Sequence, residues 1–326
     1  DMYLGVTLEL KTNSQGTKYW TMSPKKYVDA SVKNVEEKLA KDGLRLPNKC
    51  PTPMLGGYHP SDDTSAELTA VGLHYYQELI GVLRCAVKIG RLDILLEVAL
   101  LSTHLALPRQ GHLEQVYHIF GYLKQSPRRR LYLDPDYPMI SEERFTKHEW
   151  TDFYKYAEEA QPPNMPTPRG RMMSTHCFVD SDHAGDKVTR RSQTGILMFC
   201  CRAPVLSHSK RQNSVETSTY GSELVAMRQA IDLVKSLRYK LRMFGIPVEG
   251  PTDVFCDNES VFKNVSKPES VLSKKQHSIS YHSAREAVAS DIVRVAKEGT
   301  ATNLSDLYTK TMNKPKREGL LGKFMY

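Results

Sequence analysis

The sequence has 326 residues, 40% hydrophobic and 25% charged, which sets a prior of two domains, or one and a half for a fragment. That composition excludes collagen-like, disulfide-dense and wholly disordered classes. A mean hydropathy of -0.47 argues against a membrane protein, and the most apolar stretch, Leu92 to Leu101, is too short to span a bilayer and is interrupted by Asp93 and Glu97.

The formal net charge is +8, unevenly distributed. Residues 1–171 carry 22 Lys and Arg against 21 Asp and Glu, and residues 172–326 carry 23 against 16. The basic excess lies in the C-terminal half and points to a polyanionic partner. The six cysteines, Cys50, Cys85, Cys177, Cys200, Cys201 and Cys256, form no C-x-x-C pair and are read as reduced thiols. No basic-then-apolar leader opens the sequence, so an intracellular location is expected.

In chain order, Tyr3 to Leu10 alternates like a strand and Lys18 to Met22 forms a second, joined through the turn signal Asn13-Ser14-Gln15-Gly16 into a β-hairpin. Ser23-Pro24 supplies an N-cap and a proline for a helix to about Lys41. A polar, proline-bearing loop from Leu46 to Leu68 precedes three apolar-periodic segments, Tyr75–Ile89, Asp93–Leu105 and His112–Gln125, expected as a helical group. Residues 131–171, with Pro162, Pro163, Pro166 and Pro168, have the texture of an interdomain connection.

Strands are then expected at Thr175–Asp180, Thr194–Cys200 and Val205–Ser209, the first of them forming a meander. A long helix from Ser218 to Phe244 follows, with apolar residues three and four apart, stopped by Gly245. Val254–Cys256 is a short strand, Glu259–Val265 and Tyr281–Ala289 are helices, Ile292–Ala296 is a strand and Leu304–Thr311 a last helix. The fold class is a mixed α/β layer. Its domain is expected over 172–312, after a mainly helical region over 1–130 and before a tail over 313–326.

Four acids stand out in this half. Asp180 and Asp257 end apolar strands, Glu223 lies one turn into the long helix, and Asp306 opens the last helix three residues after Asn303, a candidate N-cap. Singly, an Asp after a strand is a turn former and a Glu in a first turn serves the helix dipole. Strand ends beside a helix are where α/β folds place sites. Four carboxylates converging there repel one another unless cations neutralise them, which implies divalent metal, magnesium first and manganese second.

The blocks Phe178-Val179-Asp180-Ser181-Asp182-His183-Ala184-Gly185-Asp186, Thr189 to Gly195, Glu216 to Glu223, Cys256-Asp257-Asn258-Glu259-Ser260 and Asp306-Leu307-Tyr308-Thr309-Lys310 resemble the ribonuclease H domain of copia-type LTR retrotransposon polyproteins. Upstream, Tyr3-Leu4-Gly5, Ser23 to Tyr27, Tyr76 to Gly81 and Gly90 to Ile94 are similar to the segment after the polymerase palm of the same polyproteins. The resemblance implies a ribonuclease H-like domain of βββαβαβα order behind a thumb- or connection-like region with an N-terminal hairpin. It also implies two-metal hydrolysis of the RNA strand of an RNA–DNA hybrid, with Asp180, Glu223, Asp257 and Asp306 as catalytic metal ligands.

Asn258 is the implied substrate contact, and Lys187, Arg190, Arg191, Lys210 and Arg211 are candidates for hybrid phosphates. The implied partners are the hybrid and the remainder of a reverse transcriptase, in the cytoplasm, within a virus-like particle, or in the nucleus. Tyr27-Val28-Asp29-Ala30 mimics a Tyr-x-Asp-Asp polymerase turn, but Ala30 replaces the second acid inside an expected helix, so no polymerase activity is expected from this chain alone.

Three departures from the family pattern accompany the resemblance. The third strand, Val205 to Lys210, lacks the usual tryptophan, Ser305 stands where alanine is usual, and no histidine precedes the last acid. His277 and His282 match family positions without forming a rival metal site. These departures keep a second reading open, a non-catalytic nucleic-acid-binding remnant of a decayed or truncated element. A DNA-cutting integrase or resolvase of the same fold does not explain Glu223 or the upstream similarity.

Overall fold

The computed structural model describes residues 2–3, 5–13, 16–272 and 275–326. Leu4, within one resemblance block, and Ser14 and Gln15, within the expected turn, lie outside the described residues. The chain opens with β1 (Met2–Tyr3), β2 (Val6–Thr12) and β3 (Lys18–Ser23), then α1 (Lys25–Lys41). Ser23 does not cap α1: Pro24 takes the cap position without a side-chain bond, because Ser23 is still paired in β3, opposite Thr7.

Next come α2 (Ala70–Lys88), a single 3-10 turn at Leu92–Ile94, α3 (Leu95–Ser102) and α4 (Gln110–Gln125). Val28, Val32, Val35 and Leu39 form one face of α1 and pack on Leu79, Leu83, Val116, Ile119 and Phe120 in one core. Gly121 permits this packing, since a Cβ there would stand 2.5 Å from the Pro47 carbonyl oxygen.

The segment over 131–171 is packed rather than loose. Its first residues form β4 (Leu131–Leu133), which completes an antiparallel sheet of order β1-β2-β3-β4. Farther on, Glu142 pairs with Arg294, Arg144 with Glu298 at 2.7 Å, and Phe145 lies 6.1 Å from Phe255, ring to ring. After the short α5 (Thr151–Tyr154), Glu159 takes both Arg238, at 2.7 Å, and Arg242, at 2.5 Å. The proline-rich composition therefore describes an extended strap held by ion pairs to the C-terminal sheet and helix.

The C-terminal half contains β5 (Thr175–Ser181), β6 (Gln193–Cys200), β7 (Ala203–Arg211), α6 (Thr219–Met243), β8 (Thr252–Cys256), α7 (Glu259–Ser266), α8 (Ser278–Ala289), β9 (Val293–Lys297), a 3-10 turn at Leu304–Tyr308 and α9 (Lys314–Leu321). Its sheet has the order β7-β6-β5-β8-β9, the first three strands an antiparallel meander and the last two parallel to β5. Both faces are covered, so β6 is buried at every position.

One face packs on α6 and α8 through Leu224, Met227, Ile231, Val234 and Ala284. The other packs Leu197 and Phe199 on Leu304, Tyr308, Leu321 and Phe324, and these reach Leu131, Met22, Leu92 and Leu95 of the N-terminal region. Residues 313–326, expected as a tail, thus help join the two halves: Met325 bridges Leu131, and Arg130 and Tyr326 exchange two backbone hydrogen bonds of 3.0 Å.

The acids that interrupt Leu92–Leu101 have buried partners. Asp93 accepts from Arg91 at 2.7 and 2.8 Å and from the Tyr122 hydroxyl at 2.9 Å, and Glu97 pairs with Arg317 at 3.1 Å. The Arg91 and Arg129 guanidiniums hold the Asp93 carboxyl at about 2 against its complete burial. No helix among the described residues is long and apolar enough to cross a membrane.

Candidate active site

Parallel pairing of β5 with β8 sets Val179 against Cys256, so the next residues on each strand, Asp180 and Asp257, emerge side by side at the carboxyl end of the sheet. Glu223 comes from α6, which starts at Ser218, whose hydroxyl accepts from Gly221 N at 3.3 Å. Gly221 allows the helix to sit low, since a Cβ would meet Glu216 at 2.7 Å and the His277 ring at 3.0 Å. The outcome is that Asp180, Glu223 and Asp257 each offer an oxygen within 4.8 Å of the others.

Asp180 has no exposed surface and Glu223 is 8% exposed. Burial pushes the Asp180 carboxyl up to about 6, and Lys310 and Thr309 oppose that rise. Burial, together with the charges of Asp180 and Asp257, pushes Glu223 well above the usual carboxylate range. Neighbouring Asp182 is also raised to about 6, chiefly by burial. Such a cluster accepts either protons or cations, and an all-carboxylate donor set suits a hard divalent ion such as magnesium.

Asp306 reaches the site differently. Its turn is tied to β5 by Asn303, whose side-chain N–H donates to the Val179 carbonyl at 3.0 Å while its oxygen accepts from Ser305 N, as the expected cap does. The Asp306 carboxylate is fully buried and accepts from Lys310 at 2.9 Å and Lys316 at 2.7 Å. Lys310 stands 3.1 Å from Asp180, so the ammonium links the fourth acid to the cluster. Thr309 donates its hydroxyl to Asp180.

Thr309 and Lys310 were visible only as part of a matching block, and Lys316 had no signal beyond its charge. The one readable hint was the four-residue spacing of Asp306 and Lys310. Ser305 fills its unusual place by donating to Asn303 at 2.6 Å.

The implied substrate residues are placed variously. Asn258 spends its side-chain oxygen on Ser260 N and Val261 N, each at 3.1 Å, capping α7. Lys187 pairs with Asp62 of the N-terminal region at 2.6 Å, and Arg211 pairs with Asp186 at 2.6 Å. Arg190 is exposed at a positive φ of 55°, while Arg191 and Lys210 line a groove beside β7. His277 lies 3.7 Å from Glu216, and His282 shares a 2.8 Å hydrogen bond with the Tyr154 hydroxyl.

The sheet order, the meander followed by parallel strands, and acids at the ends of β5 and β8 and on α6 define a ribonuclease H-like α/β domain. No family model matches the chain. It is 24% identical over 239 residues to the retrovirus-related Pol polyprotein from transposon RE1 of Arabidopsis thaliana, 73% of this chain. It is also 25% identical over 310 residues to that from transposon TNT 1-94 of Nicotiana tabacum, 92% of this chain. The chain spans only 14% and 20% of those relatives' lengths.

Among solved structures, the N-terminal RNase H domain of a Mycobacterium tuberculosis protein, fused to maltose binding protein, is 10% identical with a TM-score of 0.33, covering 46% of this chain and 97% of its own. LC11-RNase H1 in complex with an RNA/DNA hybrid is 14% identical with a TM-score of 0.34, covering 42% and 94%. Similarity to copia-type Pol polyproteins thus runs along most of the chain.

Proposed function

We propose that this chain is a divalent-metal-dependent endonuclease that cuts the RNA strand of RNA–DNA hybrids, working as the ribonuclease H portion of a retrotransposon reverse transcriptase. The observation that carries the reading is the closure of Asp180, Glu223 and Asp257, 77 positions apart from first to last (257 minus 180), to within 4.8 Å. The ribonuclease H-like sheet and the similarity to transposon Pol polyproteins support a nuclease domain of a longer polyprotein.

Asp180, Glu223 and Asp257 would hold the metal, and Asp306, whose carboxylate accepts from Lys310 and Lys316, would join them as the fourth acid. Bound magnesium supplies the charge that activates a water and stabilises the leaving oxygen of the phosphodiester. Thr309 and Lys310 orient Asp180. Asn258, by capping α7, fixes the backbone from which Asp257 projects. Discrimination against DNA requires that the site sense the 2′-hydroxyl of the RNA strand.

Cleavage of a labelled hybrid with and without magnesium tests this reading. Asp180→Asn and Asp257→Asn are each expected to abolish cleavage while hybrid binding stays measurable. Unchanged cleavage by both variants overturns the site. The non-catalytic reading draws on the two lysines that already neutralise Asp306, and it would be favoured if the unaltered chain bound hybrid without cutting it.

A further inference from the structure

Between α2–α3 and the edge strand β7 runs an open groove of about 910 Å³. One wall carries Arg84 and Lys88, the other Arg191, Lys210 and Arg211, the last already held by Asp186, and among the described residues no Asp or Glu lines it. Arg84 and Lys88 are four apart on one face of α2, where like charges repel. Both are exposed, and among the described residues neither forms an ion pair, Arg84 donating instead to the Ser102 hydroxyl at 3.0 Å. Lys210 is likewise exposed at the rim of β7 and, among the described residues, forms no ion pair. A floor of Leu92, Leu95 and Leu206 offers apolar surface between the cations.

Strand register fixes where the groove lies. Lys210 pairs with Thr194, and Thr194 with Ser181, the residue after Asp180. Two strand spacings, about 10 Å, therefore separate the row of Lys210 from the row of Asp180. Gln212 binds the two places together, donating to the Ser222 carbonyl at 2.9 Å and the Thr194 hydroxyl at 3.0 Å.

We propose that this groove holds a nucleic-acid strand extending beyond the acid cluster, with phosphates on Arg84, Lys88, Arg191 and Lys210. The N-terminal helical region thereby supplies half of a binding track that the C-terminal domain alone lacks. The inference rests on nucleic acid being the ligand of the chain, and it adds α2 to the surface that holds it. Cations spread over both walls of an open trough, rather than gathered at one point, suit a phosphate backbone better than a compact anion.

The test uses the full chain, with EDTA present, and fluorescence anisotropy from about 50 to 200 mM salt. The probes are a blunt eight-base-pair hybrid and the same hybrid with a twelve-nucleotide single-stranded extension. Arg84→Gln with Lys88→Gln is expected to weaken binding of the extended probe about tenfold and to flatten its log–log salt slope by about 1.4 to 1.8, the value for two lost phosphate contacts. The Arg84→Lys, Lys88→Arg pair should restore both, which separates charge from folding.

Unchanged affinity and slope, or equal losses on both probes, overturn the groove. Loss of polyglutamate binding with nucleic-acid binding intact assigns an acidic polypeptide and also overturns it. Hybrid cleavage by the unaltered chain is scored separately. Its absence alongside the expected slope change would remove the nuclease reading and leave the groove standing.

Discussion

The ammonium of Lys310 stands 3.1 Å from a carboxylate oxygen of Asp180, a side chain with no exposed surface. The same ammonium holds Asp306 at 2.9 Å, so the protein supplies its own cation at the acid-rich end of the sheet. Burial works against that ammonium, and the charges of Asp180 and Asp306 more than compensate, raising its pKa.

Lys310→Met is therefore expected to destabilise the metal-free chain by about 1–2 kcal/mol, less than a wholly buried pair because the lysine remains 39% exposed. Magnesium should then raise the melting temperature of the variant more than that of the parent. Thermal unfolding with and without the ion checks this, and equal shifts would show that the ammonium does not compete with a metal.

Gly195 faces Asp180 across the β5–β6 ladder, and a Cβ there would stand 2.7 Å from both the Ser305 carbonyl oxygen and the Thr309 methyl. Gly195→Ala should force the Asp306 turn away from the sheet, with a loss of about 1–3 kcal/mol. Hybrid cleavage should fall more than hybrid affinity. Gly319→Ala, on α9 with nothing within 4 Å of the added carbon, is the control and should be neutral or slightly stabilising.

Arg317 and Glu97 are each 2% exposed and lie in different halves of the chain. Arg317→Met leaves the Glu97 carboxylate buried without its partner and is expected to destabilise by about 3–5 kcal/mol. Combining it with Glu97→Leu should recover a substantial part of that loss. Chemical denaturation of the single and double variants measures the coupling, and strict additivity would mean that the pair does not act as a unit.

Arg238 and Arg242 hold the Glu159 carboxyl at about 2, against an ordinary value of 4.5. A depressed folded-state value means that this stabilisation is complete above pH 4.5 and is lost as pH falls towards 2. After allowance for solvent around the pair, its size is about 1–3 kcal/mol. Glu159→Gln should lower stability at neutral pH by that amount and converge on the parent near pH 2. Parallel curves throughout that window would remove the strap's ion pairs as the cause.

Local pattern in the sequence by itself placed most helices and strands, because period and capping act over a few residues, as in α6 from Ser218. But β4, α5 and α9 arose where a connection and a tail were expected, and Leu304–Tyr308 is a 3-10 turn rather than a helix to Thr311. The sequence also singled out Asp180, Glu223, Asp257 and Asp306, since the acids end or open elements whose pattern is local. Only the tertiary structure decided that three of these close together while Asp306 is joined through Lys310. It alone paired Glu97 with Arg317 and Glu159 with Arg238 and Arg242, turning an expected linker and tail into packed elements. The physical reason is that burial and ion pairing depend on which residues distant in the chain arrive at the same place, and no periodicity within one segment encodes that meeting.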